Sequence, residues 1–95
     1  MRNNEQTLKE AIEHTLQFYR LKSKLQEVQI IDNWKKIMGN IIAKRTEQLY
    51  IKDKKLYIRV SSAPLREELK YAREKIIDLL NREAGAGIIE DIVLI

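Results

Sequence analysis

The chain has 95 residues and a mass of 11.3 kDa, enough for one domain with a single modest hydrophobic core. Hydrophobic residues make up 44% and charged residues 34%, which is typical of a folded domain and excludes an intrinsically disordered chain. There is no cysteine and one histidine, His14, which excludes disulfide scaffolds, thiolate nucleophiles and the common zinc and iron–sulfur sites.

The sequence offers no membrane or export signal. Its longest apolar run, Ile92–Ile95, is far shorter than the ~20 residues of a membrane span. The acidic residues Glu5, Glu10 and Glu13 are incompatible with a signal peptide at the N-terminus. We therefore expect one cytoplasmic domain over residues 1–95, with no membrane partner.

Two amphipathic helices are predicted in the first half of the chain. Apolar residues at helical spacing from Leu8 to Tyr19 indicate a helix over about Glu5–Tyr19. A second helix is predicted from Ser23, a candidate N-cap, with a break or kink at Gly39 and Asn40. Its apolar stripe comprises Leu25, Val28, Ile31, Trp34, Ile37, Met38 and Ile41, which places Trp34 in the core.

The pattern then changes from helical spacing to alternation, which indicates a β-hairpin. The polar segment Lys52–Lys55 connects the two strands. If Ile51 pairs with Leu56, the apolar residues of both strands share one face, and Tyr50 lies opposite Tyr57 on the other. A slip of one residue would move the apolar set to solvent, so this register is the expected one.

A helix and a strand complete the predicted fold. Ser61, Ser62 and Pro64 are typical of a helix start, and Gly85 and Gly87 of its end. The β-branched segment from Ile88 to Ile95 predicts a last strand that pairs with the hairpin. The expected fold class is α+β, in the order α-α-β-β-α-β, with a three-stranded sheet and helices mainly on one face.

Positive charge is concentrated in the middle of the chain. The net charge is +4, but residues 34–60 hold eight basic and two acidic residues, a net of +6. Such a segment suggests a surface for a polyanion, although a set of ordinary solvated lysines is the alternative. The basic residues of the segment are Lys35, Lys36, Lys44, Arg45, Lys52, Lys54, Lys55 and Arg59.

Three groups of residues could bind nucleic acid. On the outer hairpin face, Tyr50 and Tyr57 alternate with cations, a combination that holds single strands by stacking and phosphate contacts. A cross-strand tyrosine pair that only stabilises the hairpin is the alternative. The other two groups are the cations around the Gly39 break and the serines before Pro64, and helix capping alone would also explain the serines.

Catalytic chemistry is not indicated. The sequence lacks a phosphate-binding glycine loop, a nucleophile elbow and a paired-histidine helix. His14 has no nucleophile near it in sequence, and the carboxylates are interspersed with lysines as on solvated faces. We predict a non-enzyme without cofactor, metal or small-molecule substrate.

The order and spacing of several short elements resemble the DciA-type domain. The elements are Trp34-x-x-Ile37-Met38-Gly39-x-x-Ile42-Ala43-x-x-Thr46, Leu49, Lys55-Leu56-Tyr57-Ile58-x-Val60-Ser61-Ser62, Glu68-Leu69 and Leu80-Asn81. The resemblance covers about Leu8 to Ile95. It implies a KH-like fold, without the Gly-x-x-Gly loop of nucleic-acid-binding KH domains, because Gly39-Asn40-Ile41-Ile42 lacks the second glycine.

The resemblance also implies a function. The family is associated with loading or operating the bacterial replicative helicase, so the expected partners are single-stranded or forked DNA and the hexameric helicase. An RNA-binding module of ribosome assembly or translation is the first alternative. A pure protein–protein adaptor with an acidic partner is the second.

Overall fold

The computed structural model describes the backbone of residues 4–95 and the side chains of residues 7–95, so the side chain of Glu5 lies outside the described part. None of the helices in that part has the length and apolar content that crossing a bilayer requires. In chain order the elements are α1 (Asn4–Asp32), α2 (Trp34–Met38), α3 (Asn40–Arg45), β1 (Thr46–Lys52), β2 (Lys55–Val60), α4 (Ala63–Tyr71), α5 (Arg73–Ala84) and β3 (Asp91–Leu94).

The first helix is longer than predicted. The sequence suggested two helices separated before Ser23, whereas α1 is continuous over 29 residues and Ser23 lies inside it. The N-cap prediction for Ser23 was therefore wrong. The physical reason is that Arg20–Lys22 contains good helix formers and neither glycine nor proline, so nothing there interrupts the backbone hydrogen bonds.

Two short helices follow the long one, and a glycine separates them as the sequence predicted. At Gly39 the backbone adopts φ +91°, which side-chain-bearing residues rarely tolerate. The N–H of Gly39 donates to the carbonyl of Lys35, closing α2. The chain then enters α3 directly, so the break at Gly39 turns the chain toward the sheet.

The β-hairpin has the predicted register. Leu49 pairs with Ile58, Tyr50 with Tyr57 and Ile51 with Leu56 in an antiparallel ladder. Asp53 and Lys54 form the two-residue connection, and both have positive φ angles, of 50° and 63°. This is the turn class whose backbone twist matches that of a hairpin.

The predicted third helix is two helices. Ser62 caps α4 by accepting a hydrogen bond from the N–H of Leu65, and Pro64 lies in the first turn, as expected. The chain bends at Ala72, with φ −90° and ψ 7°, and α5 then runs to a left-handed cap at Gly85. The element order therefore contains five helices among the described residues, where the sequence predicted three.

The last strand completes a sheet of order β1-β2-β3. β3 is parallel to β2, with Leu56 beside Ile92 and Ile58 beside Leu94. Before β3, the side chain of Asn81 donates to the carbonyl of Ile89 and accepts from two backbone N–H groups, at 2.8–3.0 Å. The three-stranded α+β fold is confirmed, and it is consistent with the KH-like description.

The core lies on one face of the sheet, between the strands and the helices. Side chains alternate between the two faces of β2, so Leu56, Ile58 and Val60 are buried and the side chains of Tyr57 and Arg59 lie on the other face. Leu69, Ile76 and Leu80 of α4 and α5 cover them. The helices therefore pack on the inner face of the sheet, whereas the side chains of Tyr50, Lys52, Lys55 and Arg59 on the outer face are exposed.

The apolar stripe predicted for the second helix is partly wrong. Trp34 is buried as expected, and its indole N–H donates to the Thr46 hydroxyl at 3.0 Å. Ile30, four residues before it, is also buried, although the predicted stripe omitted it. Leu25, Val28 and Ile41 are exposed, because the stripe was drawn on one helix, whereas its residues belong to three separate helices, α1, α2 and α3.

Candidate nucleic-acid interface

The outer face of the hairpin presents a stacked tyrosine pair. The rings of Tyr50 and Tyr57 are parallel within 6°, with centroids 4.8 Å apart. Tyr57 is half-buried and its strand neighbour on the other side is Val93. Tyr50 lies on the edge strand β1 and is the more exposed of the two, at 38%. The pair thus stabilises the hairpin, and Tyr50 has the more accessible ring.

Cations surround this pair on the same face. Lys52 and Lys55 are direct cross-strand partners beside the turn, and Arg59 lies further along β2 opposite Gln48. All three side chains are exposed. Like charges directly opposite each other destabilise a sheet, so the Lys52–Lys55 pairing weakens the hairpin unless an anion lies between them.

Lys54 is placed differently from its neighbours. It lies in the turn, and its ammonium is 3.6 Å from Glu90 Oε1. The carbonyl of Lys54 also accepts a hydrogen bond from the N–H of Glu90. The ion pair partly neutralises this predicted site residue, so its positive charge is less available to an external anion than that of Lys52 or Lys55.

A cleft brings together two groups that are distant in the sequence. Lys44 and Arg45 at the end of α3 line it with Ser61, which follows β2, and its volume is about 360 Å³. The backbone fixes this arrangement, because the N–H of Ser61 donates to the carbonyl of Arg45 at 2.9 Å. Ile41 completes the lining with an exposed side chain. Two cations and a hydroxyl therefore face one small, open cleft.

Arg66 is a further cation at this end of β2 that the sequence analysis did not select. Its guanidinium donates to the carbonyl of Val60 at 3.3 Å, while its buried Nε has no hydrogen-bond partner within the described residues. It was missed because its position in the second turn of α4 resembles an ordinary solvated helix face. Only the tertiary structure, which brings α4 close to the end of β2, identifies Arg66 as part of this group of cations.

Lys35 and Lys36 lie on the short helix α2, directly after the buried Trp34. Both are exposed. Successive residues of a helix are rotated by 100°, so the residues that follow a buried one can point to solvent. No hydrogen bond or ion pair in the described part of the chain joins them to the hairpin or to the cleft. Of the predicted site residues, these two remain a separate group.

The basic segment is largely without internal counter-charges. The ion pairs between described side chains are Lys24–Glu27, Lys54–Glu90, Lys70–Glu67 and Arg73–Asp91. One of these four involves a predicted site cation. The other seven cations, which we call the unpaired cations, form no ion pair within residues 7–95; they are Lys35, Lys36, Lys44, Arg45, Lys52, Lys55 and Arg59.

No cluster of metal-binding side chains accompanies these cations in the described residues. No group of three or more histidine, aspartate or glutamate side chains there is arranged to hold a metal ion. His14 is exposed on α1, far along the helix from its packed end. Within residues 7–95 the site can therefore attract and position an anion through ammonium, guanidinium and hydroxyl groups.

Comparison with known proteins identifies similar sequences. The family described as "Dna[CI] antecedent, DciA" matches residues 7–94 of the chain. A protein named UPF0232 protein, from Corynebacterium glutamicum (strain R), is 30% identical over 63 residues, which cover 66% of this chain and 35% of that protein. The chain thus aligns with about a third of the length of that relative. No solved structure shows a significant match.

Proposed function

The chain belongs to the DciA family, which is associated with DNA replication, and on that premise we propose that it is a non-enzymatic adaptor. It binds DNA through its basic segment and helps to load or position the replicative helicase. It works in the bacterial cytoplasm by tethering, without hydrolysing nucleotide itself. Its partners are single-stranded or forked DNA and the hexameric helicase.

The concentration of unpaired cations carries this proposal. Seven of the eight basic residues between Trp34 and Val60 have no acidic partner within the described residues. Of the four ion pairs there, one involves Lys54 and the other three lie outside this segment. Phosphate contacts of Lys and Arg supply most of the affinity of non-specific nucleic-acid binding. Cations without an acidic partner in the protein are available to contact phosphates, which favours nucleic-acid binding by this surface.

The hairpin face is the proposed track for a single strand. Lys52, Lys55 and Arg59 contact successive phosphates, and one phosphate between the two lysines relieves their mutual repulsion. A base stacks on the exposed ring of Tyr50, as aromatic side chains do in single-strand-binding proteins. Tyr57 supports Tyr50 from the other side rather than stacking on a base itself.

The cleft is the proposed site for a second backbone contact. Lys44, Arg45 and the hydroxyl of Ser61 hold one phosphate, and Ile41 lies against the sugar. Lys35 and Lys36 on α2 add long-range attraction, which raises the rate of encounter with a polyanion. Lys54, already paired with Glu90, contributes least of the predicted site residues.

Salt dependence of binding to a fluorescent single-stranded DNA tests the proposal. If about six cations contact phosphates, the log–log slope of affinity against salt should be near −4, from roughly −0.7 per contact. In the double variant Lys52→Gln, Lys55→Gln the slope should fall by about 1.4. The matched control is Lys75→Gln, Arg82→Gln, which removes two exposed cations from α5 and should leave slope and affinity unchanged. An affinity independent of salt would refute DNA binding by this surface.

A tagged pulldown from the native cell tests the partner. Recovery of the replicative helicase supports the adaptor role, and it should persist after nuclease treatment if the contact is direct. Recovery of ribosomal particles instead would favour the RNA-binding alternative. Recovery of an acidic protein without helicase or nucleic acid would favour the pure protein adaptor.

A further inference from the structure

The strand β1 forms an open edge of the sheet. The strand order β1-β2-β3 leaves one side of β1 without a neighbouring strand. In β2 the carbonyl of Ile58 accepts a hydrogen bond from the N–H of Ile95, on the side of β3. The N–H and C=O of one strand residue point to the same side, so the backbone of Ile58 does not bond to its cross-strand neighbour Leu49. The backbone groups of Leu49 therefore point to the open edge.

The open edge continues through Ile51. Hydrogen-bonded and non-hydrogen-bonded pairs alternate along an antiparallel ladder, so the backbone of Ile51, two residues after Leu49, also points outward. Among the described residues, no hydrogen bond reaches the outward N–H and C=O groups of these two residues. Natural sheets usually block an open edge with a charge, a proline or a bulge. The bulge of β1 lies between Thr46 and Gln48, before this stretch. We call the unblocked segment from Leu49 to Ile51 the β1 edge.

An apolar groove lies along the β1 edge. It separates β1 from the C-terminal part of α1 and has a volume of about 320 Å³. Its apolar walls are Val28 and Ile31 of α1 and the half-buried Leu49 and Ile51 of β1. The side chain of Val28 is 54% exposed. Successive side chains of a strand point to opposite faces, and Tyr50 lines the groove together with its two neighbours. The groove therefore reaches the strand edge itself.

The α1 side of the groove is acidic. Its charged residues are Lys24, Glu27 and Asp32. The ammonium of Lys24 is 3.8 Å from Glu27 Oε2, whereas Asp32 forms no ion pair with another described side chain. Asp32 is exposed and ends α1, whose last turn has no basic residue, so the partial negative charge of the helix C-terminus adds to the carboxylate. The hydrogen bond from Trp34 to Thr46 places this acidic end near the start of β1.

We propose that the β1 edge and this groove bind an extended peptide segment of a partner protein, with alternating apolar residues and a terminal Lys or Arg. The segment adds a strand to the sheet, and its backbone pairs with the N–H and C=O groups of Leu49 and Ile51. Its apolar side chains pack against Val28 and Ile31, and its cation lies beside Asp32. The negative charge at this end repels phosphate, so the groove is separate from the cations of the outer hairpin face.

Nuclear magnetic resonance titration of the isotope-labelled full chain with a synthetic peptide tests this proposal. The peptide is acetyl-KTVTVTK-amide, whose valines and lysines share one face when it is extended. A lysine at each end brings an ammonium to Asp32 in either strand direction. Saturable shift changes should appear at Leu49 and Ile51 below about 1 mM peptide. At saturation, hydrogen exchange of their N–H groups should slow by about 10-fold or more.

Two results of this titration would overturn the proposal. One is the absence of any saturable change up to about 2 mM peptide. The other is slow exchange of the Leu49 and Ile51 N–H groups in the free protein, because α1 or a second copy of the chain would then cover the edge.

Variants of the groove test its apolar wall. Val28→Asn should weaken binding of the lysine peptide by about 5-fold or more, because an apolar contact is lost. Leu25→Asn is the matched control, since Leu25 lies on the same helix, is 57% exposed and does not line the groove. Circular dichroism should show the same fold in both variants. Equal effects of the two substitutions on peptide binding would refute the groove as the binding site.

Charge exchange tests the basic end of the peptide. Asp32→Lys should weaken binding of the lysine peptide by roughly 2- to 30-fold and strengthen binding of acetyl-ETVTVTE-amide. An unchanged preference between the two peptides would refute the contact with Asp32.

DNA titration of Val28→Asn distinguishes this site from the proposed DNA surface. The variant should lose peptide affinity and keep its affinity for single-stranded DNA, because Val28 lies on α1 and not among the unpaired cations. A loss of both affinities would refute a separate peptide site. Normal peptide binding by a wild type that does not bind DNA would instead refute the DNA surface alone.

Discussion

The two faces of the hairpin are built from alternating residues of the same strands and have opposite properties. On the inner face Leu56 and Ile58 are completely buried against the helices. On the outer face the direct neighbours are two tyrosines and two facing lysines. The inner face stabilises the domain, whereas the outer face carries charge repulsion that lowers its stability. Substitutions on the two faces should therefore separate stability from binding.

The same division occurs within α2. Trp34 is 5% exposed and hydrogen-bonded to Thr46, while Lys35 and Lys36 beside it are exposed. A short helix held by one buried side chain can present its remaining residues to a partner. Substitutions of the buried residue should therefore lower stability, whereas substitutions of its exposed neighbours should affect binding.

Trp34→Ala should cause the largest loss of stability. Removing a buried indole is expected to lower the free energy of unfolding by about 3–5 kcal/mol, through lost burial and a residual cavity. Urea unfolding followed by circular dichroism measures this loss. Lys35→Ala is the control and should change stability by less than about 0.5 kcal/mol. Equal effects of the two substitutions would contradict the division within α2.

Asn81→Ala, in α5, should cause the next largest loss of stability. The substitution leaves the N–H groups of Ile88 and Ile89 and the carbonyl of Ile89 without their partner, so we expect a loss of about 2–4 kcal/mol. Asn81→Asp keeps the acceptor for both N–H groups and should lose less than alanine. The same unfolding measurement applies, and identical losses for the two variants would mean that the N–H contacts contribute little.

Tyr50→Ala tests the outer face, where stability and binding should separate. Loss of the stacked contact with Tyr57 should lower stability by about 0.5–1.5 kcal/mol. If a base stacks on the ring, single-strand affinity should fall by about 1–3 kcal/mol as well. Tyr50→Phe keeps both kinds of stacking and serves as the control. Normal DNA binding by the alanine variant, with only its stability lowered, would leave the tyrosine pair a purely structural feature.

Lys52→Glu should have the smallest effect on stability, and of the opposite sign. Replacing a facing pair of like charges by an opposite pair is expected to raise stability by about 0.2–1 kcal/mol. The same substitution should weaken DNA binding, because it removes one cation and adds an anion to the outer face. Thermal unfolding and DNA titration of the same sample check both signs. A stabilised variant with undiminished DNA affinity would break the proposed link between the outer face and binding.

The pairing of Leu49, Tyr50 and Ile51 with Ile58, Tyr57 and Leu56 could be predicted, because only one register buries the apolar residues of both strands. The start of β1 at Thr46 and the register shift between Thr46 and Gln48 could not. Ser62 and Gly85 were also predictable, since each satisfies a local requirement of a helix end. The continuity of α1 was not predicted, because two separate apolar series and the N-cap candidate Ser23 suggested two helices, whereas Ser23 lies inside one continuous helix. The bend at Ala72 has no glycine or proline to mark it.

The sequence predicted which residues belong to the candidate site but not how the fold places them relative to one another. The excess of cations between Trp34 and Val60 is visible in the sequence. The cleft of Lys44, Arg45 and Ser61 depends on α3 meeting the end of β2, which is a tertiary contact. The pairing of Lys54 with Glu90 depends likewise on how the segment before β3 passes the turn. Local periodicity carries no information about either.

The parallel pairing of β3 with β2 affects how the chain folds during its synthesis. The hairpin can form as soon as Val60 is available, because its contacts are local in sequence. β2, however, lies between two neighbours, and the second arrives only after the 30-residue crossover from Ser61 to Glu90. Until Ile92 leaves the ribosome, the edge of β2 is unpaired and Leu56 is incompletely covered. The nascent chain therefore passes through a stage with an open apolar strand edge, at which chaperone binding would protect it from aggregation.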